Sequence, residues 1–251
     1  VQAAEALGRL GRIEEAVPIL LTLAQQETVD PWVRVRAAEA LGRLGRTEEA
    51  APILLTLAQQ ETVDPRMRVQ AAEALGRLGR TEEAVPILLT LAQQETVDPW
   101  VRVRAAEALG RLGRTEEAAP ILLTLAQQET VDPWVRVQAA EALGRLGRTE
   151  EAASILLTLA QQETVDPWAR VQAAEALGRL GRTEEAASIL LTLAQQETVN
   201  PWVRVQAAEA LGNLGAATPE ILEGLRALTE NPSIPEPVRQ AAQESLHRLQ
   251  T

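Results

Sequence analysis

The chain has 251 residues, 46% hydrophobic but only 2% aromatic, with 24 basic against 35 acidic side chains and a net charge of −11. The length suits two ordinary domains or one extended array, and an apolar content of mostly Ala, Leu and Val suits closely packed helices. The acidic balance argues against nucleic acid, the lack of Cys excludes disulfides, thiolate metal sites and cysteine nucleophiles, and no apolar run reaches the length of a membrane span.

Internal repetition settles the architecture. Val1, Val35, Val69, Val103, Val137, Val171 and Val205 each open a copy of one 34-residue unit. Six near-identical copies fill residues 1–204. A seventh diverges after Gly212, so residues 205–251 are expected to form a divergent capping repeat and a final helix. The chain starts at Val1, inside a repeat and without Met, so sequence ahead of it is expected. No signal peptide is visible, and a cytoplasmic location is expected.

Each unit encodes two helices. The first starts at Asp98-Pro99, an N-cap followed by Pro at the first helical position. It runs through WVRVRAAEALGRL and stops at Gly113. Val101, Ala105, Ala108, Leu109 and Leu112 share one apolar face. The second helix starts near Thr115, with Glu116 and Glu117 in its first turn, where the helix dipole favours anions. Ala118, Ile121, Leu122, Leu125 and Ala126 form its predicted inward face. Pro120 is placed near the first turn, where a missing N–H costs least; Ser154 and Ser188 replace it in later copies.

One hairpin cannot bury both of its faces, so the copies must stack. The predicted fold is all-α, a right-handed α-solenoid of seven and a half stacked two-helix repeats. Val103, Ala106 and Gly110 form a second stripe on the first helix, assigned to the contact between repeats. Gly110 costs the helix about 1 kcal/mol against Ala, and close approach of a neighbour is the compensation. In the last helix, PVRQAAQESLHRL, the stripe becomes Gln240, Gln243 and His247, the polar outer face of a terminal repeat. The first repeat has no such change. Val1, Ala4 and Gly8 are therefore expected to lie open, where they would allow end-to-end self-association, or to be covered by sequence ahead of Val1.

The segments DPWVRVRAAEALGRLG and EEAAPILLTLA resemble HEAT repeats, specifically the short HEAT-like type named after phycobilisome lyases. The resemblance covers nearly the whole chain. Asp98 and Arg102 match the Asp and Arg that mark HEAT units, where the resemblance implies a hydrogen-bonded ladder along the stack. The QQETVDP connection is longer than in the usual short form. The period also equals that of tetratricopeptide repeats, whose second half GRTEEA echoes, but the aromatic residues and glycine-to-alanine spacing of that family are absent. Arrays of very similar HEAT-like units resemble the C-terminal sensor arms of bacterial signalling NTPases and defence proteins. The resemblance therefore implies a non-catalytic protein–protein interaction scaffold, the partner-binding arm of a larger protein. A phycobilin-lyase-like protein and a designed or purely structural array are the alternatives. Near-identical copies weigh against the lyase, because a single ligand pocket needs distinct residues in one place. Differences such as Trp32 to Arg66 and Asp166 to Asn200 each need one nucleotide transition, which points to recent tandem duplication.

No catalytic residue, cofactor site or metal site is expected. The sole His is His247, and Cys and Tyr are absent. The pairs Glu48/Glu49 and Glu82/Glu83 sit at helix starts without a base, nucleophile or ligand beside them. Each G-R-L-G ends a helix, whereas phosphate sites begin one.

Two surfaces are candidates for recognition of a protein or extended peptide. Trp32, Trp100, Trp134, Trp168 and Trp202 recur near the start of the first helix, as aromatic anchors or as packing over the preceding turn. Arg66 in the same column implies partial exposure, or an Arg stem laid on apolar surface. On the second helix, Thr22, Thr56, Thr90, Thr124, Thr158 and Thr192 lie beside Gln26, Gln60, Gln94, Gln128, Gln162 and Gln196. The resemblance implies that this neutral stripe lines a concave surface; a solvated helix face is the alternative. Glu107 and Arg111 are read as an i, i+4 pair.

Overall fold

The computed structural model describes residues 1–250. These form helices only: α1 (Gln2–Arg9), α2 (Ile13–Gln25), α3 (Pro31–Arg43), α4 (Thr47–Gln59), α5 (Pro65–Arg77), α6 (Thr81–Gln93), α7 (Pro99–Arg111), α8 (Thr115–Gln127), α9 (Pro133–Arg145), α10 (Thr149–Gln161), α11 (Pro167–Arg179), α12 (Thr183–Gln195), α13 (Pro201–Leu214), α14 (Pro219–Glu230) and α15 (Glu236–Gln250). The two predicted helices of each unit are present, the odd-numbered one first.

Local chemistry sets the boundaries. The Asp98 Oδ1 atom accepts the Trp100 N–H at 2.9 Å, and Pro99 occupies a position whose N–H would have no partner. Asn200 caps α13 in the same way, accepting from Trp202 N–H at 2.9 Å. Gly113 ends the first helix at φ +80°, a conformation that costs other residues strain. Asp98→Ala should therefore cost about 1 kcal/mol, while Asp98→Asn should leave the urea midpoint nearly unchanged.

The second helix has no side-chain cap of its own. Arg46 precedes α4 and donates Nε–H to Glu49 Oε2 at 2.7 Å. Pro52 lies deeper than predicted, in the second turn of α4, with Pro18 and Pro86 equivalent in α2 and α6. Its ring takes an N–H from the helix where the surface is exposed, so water can serve the freed carbonyl.

The chain divides into two compact units, Val1–Ile121 and Leu122–Thr251. Within the first, α3, α5 and α7 pack in succession, as do α2, α4 and α6. Within the second, α9, α11, α13 and α15 form one row and α10, α12 and α14 the other. The core is the repeated Leu and Ala set: Leu54, Leu57, Leu88 and Leu91 are fully buried, as are Leu156, Leu159, Leu190 and Leu193.

At Gly8, Gly42, Gly76, Gly144, Gly178 and Gly212 the stripe faces a neighbour, in each case the following repeat. A Cβ on Gly76 would sit 2.6 Å from Leu112 Cδ2, and one on Gly8 would sit 2.6 Å from Leu44 Cδ2. This corrects one expectation. Ala4 is buried and Gly8 lies against Leu44, while Val1 is half-buried, so the first copy of the stripe meets the second repeat rather than lying open. The open N-terminal face is the opposite side, where Leu10 is 75% exposed and Ile13 and Ile19 are exposed too. The same directionality explains the last repeat. Gly212 receives Ser245, whose Oγ–H donates to the Ala208 carbonyl at 2.8 Å, while Gln240, Gln243 and His247 face solvent. Ile121 is half-buried rather than inward; Ala119 takes the buried place beside Ala118.

Candidate recognition edge

In each unit the Trp residues lie on the edge where a first helix begins and the preceding second helix ends. The Asp-Pro cap fixes the backbone there, and the indole leaves the helix at its second residue, before any turn can cover it. All five rings are exposed: Trp32 by 50%, Trp100 by 43%, Trp134 by 40%, Trp168 by 38% and Trp202 by 66%. They are not core residues. Arg66, equally exposed, interrupts the column in the first unit. The Arg36 guanidinium lies 5.5 Å from the centre of the Trp32 ring, a cation on its face.

The residues beside each ring are polar. Glu27, Asp30, Glu95 and Asp98 in the first unit are exposed, as are Glu129, Asp132, Glu163, Asp166 and Glu197 in the second. Beneath them run the guanidinium groups that recur in each unit. Arg34 Nε donates to the Ala24 carbonyl at 3.0 Å, and Arg68, Arg136, Arg170 and Arg204 repeat the bond to Ala58, Ala126, Ala160 and Ala194. The cation meets the negative end of the preceding helix. The Asp and Arg that mark the unit thus act separately: Asp caps its own helix, and Arg ties it to the one before.

The Thr/Gln stripe is exposed at Thr22, Thr56, Thr90, Thr124, Thr158 and Thr192. Its hydroxyls bind locally. Thr22 donates to the Pro18 carbonyl, Thr56 to Pro52, Thr90 to Pro86, Thr158 to Ser154 and Thr192 to Ser188, each at 2.9 Å. Gln94 and Gln128 donate to Thr96 and Thr130 at 3.0 and 2.9 Å. Gln26 and Gln60 are exposed, whereas Gln162 and Gln196 are half-buried. In the second unit a cavity of about 370 Å³ opens beside Ser154, Thr158 and Gln162.

A charge ladder runs along the first helices. Arg77 Nη2 lies 2.8 Å from Glu39 of the preceding repeat and Arg111 Nη2 2.9 Å from Glu73; Arg43–Glu5 and Arg179–Glu141 are equivalent. The predicted Arg111–Glu107 pair exists at 3.8 Å, secondary to the cross-repeat bond. The signal was an i, i+38 spacing, invisible to a search for contacts within one helix. These pairs line cavities of about 600 Å³ over Gly8 and about 340 Å³ over Gly42. At the equivalent step Asn213 replaces Arg opposite Glu175. Burial pushes the Glu175 carboxyl up, with Arg179 opposing and Glu141 reinforcing the shift. Ionisation there opposes folding, so the penalty is absent while the group is protonated and appears as pH rises through its raised folded value. Glu175→Gln should raise the melting temperature at pH 7 and leave it unchanged at pH 3.

The second carboxylate of each helix-start pair is held by an arginine, as Glu49 by Arg46 and Glu83 by Arg80. Arg46 bonding keeps the Glu49 carboxyl below its ordinary range, the reverse of what a general acid needs. Among the described residues, no group of three His, Cys, Asp or Glu side chains is placed to hold a metal ion, and no helix is long and apolar enough to cross a membrane.

Solved structures give distant likenesses. Human deoxyhypusine hydroxylase in complex with glycerol is 22% identical over 98% of this chain and 99% of that one, with a TM-score of 0.38. The UNC-45 chaperone is 18% identical over 94% of this chain, which spans 33% of that protein, with a TM-score of 0.35. A chain from the computational design of self-assembling cyclic homooligomers is 23% identical over 99% of this chain and 85% of that one, with a TM-score of 0.14. None of these likenesses bears on what the chain does. No curated protein matches it. The family model described as HEAT repeats matches residues 1–66, 28–99, 61–132, 96–166, 129–199 and 162–247. With matches spanning nearly its full length, the chain belongs to the HEAT repeat family.

Proposed function

We propose that the chain is a non-catalytic scaffold that holds an extended protein or peptide segment along the Trp-bearing edge of a unit. The observation that carries this reading is the exposure of five indoles at one recurring position. A Trp held half in water has apolar surface to bury on a partner, and Trp is among the residues that dominate binding energy. The Thr/Gln stripe has less to offer, because its hydroxyl protons are already committed to the backbone. The ion-paired carboxylates and the lack of a nucleophile support the non-catalytic part. Residues 1–204 supply most of the reading surface, and residues 205–251 act as the closing repeat. The sequence resemblance supports the finer reading, an arm of a larger bacterial signalling or defence protein, and a cytoplasmic location is proposed with it.

The test uses displayed random peptides selected on the intact chain. Substituting all five Trp by Ala should abolish capture of the selected peptides, with helicity by circular dichroism unchanged. Replacing the six Thr and six Gln of the stripe by Ala should leave capture within about threefold, since no anchor is lost there. The opposite pattern would move recognition to the second helices.

A further inference from the structure

The edge has a chemical preference of its own. Arg36, four residues after Trp32, places its guanidinium over that ring. The equivalent positions after Trp134, Trp168 and Trp202 are Gln138, Gln172 and Gln206. Gln172 and Gln206 donate to Glu175 and Glu209 at 3.1 and 3.0 Å, along their own helix. Those rings therefore carry no guanidinium from the position that supplies one to Trp32. Exposed carboxylates stand close in the chain to each: Glu129 and Asp132, Glu163 and Asp166, then Glu197. The buried Arg136, Arg170 and Arg204 offset part of that charge, but they are spent on helix carbonyls below the surface.

Resting on the edge reading above, we propose that the run Trp134, Trp168, Trp202 of the second unit binds an extended cationic segment. Its guanidinium groups would sit on the indoles as Arg36 sits on Trp32, with the flanking carboxylates supplying charge complementarity. Stacked helices lie about 10 Å apart, and an extended chain advances about 3.3 Å per residue. The matching ligand carries Arg at every third residue. Arg66 is the counterexample within the sequence: a cation replaces the ring and breaks the run in the first unit.

The probe is a synthetic peptide with Arg at every third position and Gly and Ser between. It is titrated into the full chain at low ionic strength, followed by Trp emission and calorimetry. Saturable binding is expected, weakened at least about tenfold when citrulline, the neutral isostere, replaces Arg. Trp134→Ala, Trp168→Ala and Trp202→Ala together should abolish it. Arg104, four residues after Trp100, pairs with Glu73 at 3.6 Å instead of covering its ring; Gln138→Arg, Gln172→Arg and Gln206→Arg together should still weaken binding, by adding a cation beside each ring that repels the peptide while every Trp remains. Equal binding of the citrulline peptide would overturn the proposal in favour of a purely apolar edge. Retained binding in the triple Trp variant would overturn it in favour of diffuse charge attraction. No binding of the Arg peptide at all would also overturn it, and the scaffold reading would still stand if selected neutral peptides remained Trp-dependent.

Discussion

Gly212→Ala should loosen the last helix and lower stability by about 1–3 kcal/mol. An added Cβ would lie 2.6 Å from Ser245 Oγ and 2.9 Å from Ser245 Cα. A backbone atom cannot rotate aside, so α15 must move, straining the Ser245 bond to Ala208. Gly76→Ala is the control. There the Cβ meets the flexible end of Leu112, and the helix gains about 1 kcal/mol in propensity. Urea unfolding of both variants should show the larger loss at Gly212; an equal loss would mean that the close approach to α15 is not what Gly212 provides.

Arg170→Ala should cost about 1.5–3 kcal/mol, the range for a hydrogen bond to a charged group. The side chain is 7% exposed, and its Nε–H meets the Ala160 carbonyl at 2.9 Å. That carbonyl lies in the last turn of α10, where the helix supplies no N–H. Burial pushes the guanidinium down and Glu163 pulls it back up, and an arginine stays protonated through such shifts. Arg170→Lys should rescue only in part, because a compact ammonium lacks the planar fork that reaches past the helix end. A loss below about 0.5 kcal/mol in the Ala variant would show that the tie is dispensable.

Much of this architecture was legible in the sequence because the unit repeats. Asp-Pro and Gly mark the ends of each first helix by local backbone chemistry, which needs no knowledge of the neighbours. The stripe of Val, Ala and Gly was also legible as a contact, since Gly110 has no other compensation. Which neighbour it meets was not. A stripe is the same whether it faces forward or back, and only the placed Leu112 and Leu44 decide the direction. The Trp column stayed ambiguous for a related reason. An indole at the second residue of a helix can fold over the preceding turn or stand clear, and the choice depends on the path of the QQETVDP connection. Arg66 was the sole sequence clue to exposure. The Glu–Arg ladder escaped because its partners are set by stacking distance rather than by helical period.

The central claim is that recognition is spread over a repeated edge rather than gathered in one pocket. The most direct measurement is affinity for a selected extended peptide as Trp202, Trp168 and Trp134 of the second unit are changed to Ala one after another. The distributed edge predicts a staircase: each change weakens binding by a similar factor while the array stays helical, because neighbouring copies hold the peptide in register. Loss of all binding at a single change, or undiminished binding after all three, would contradict it.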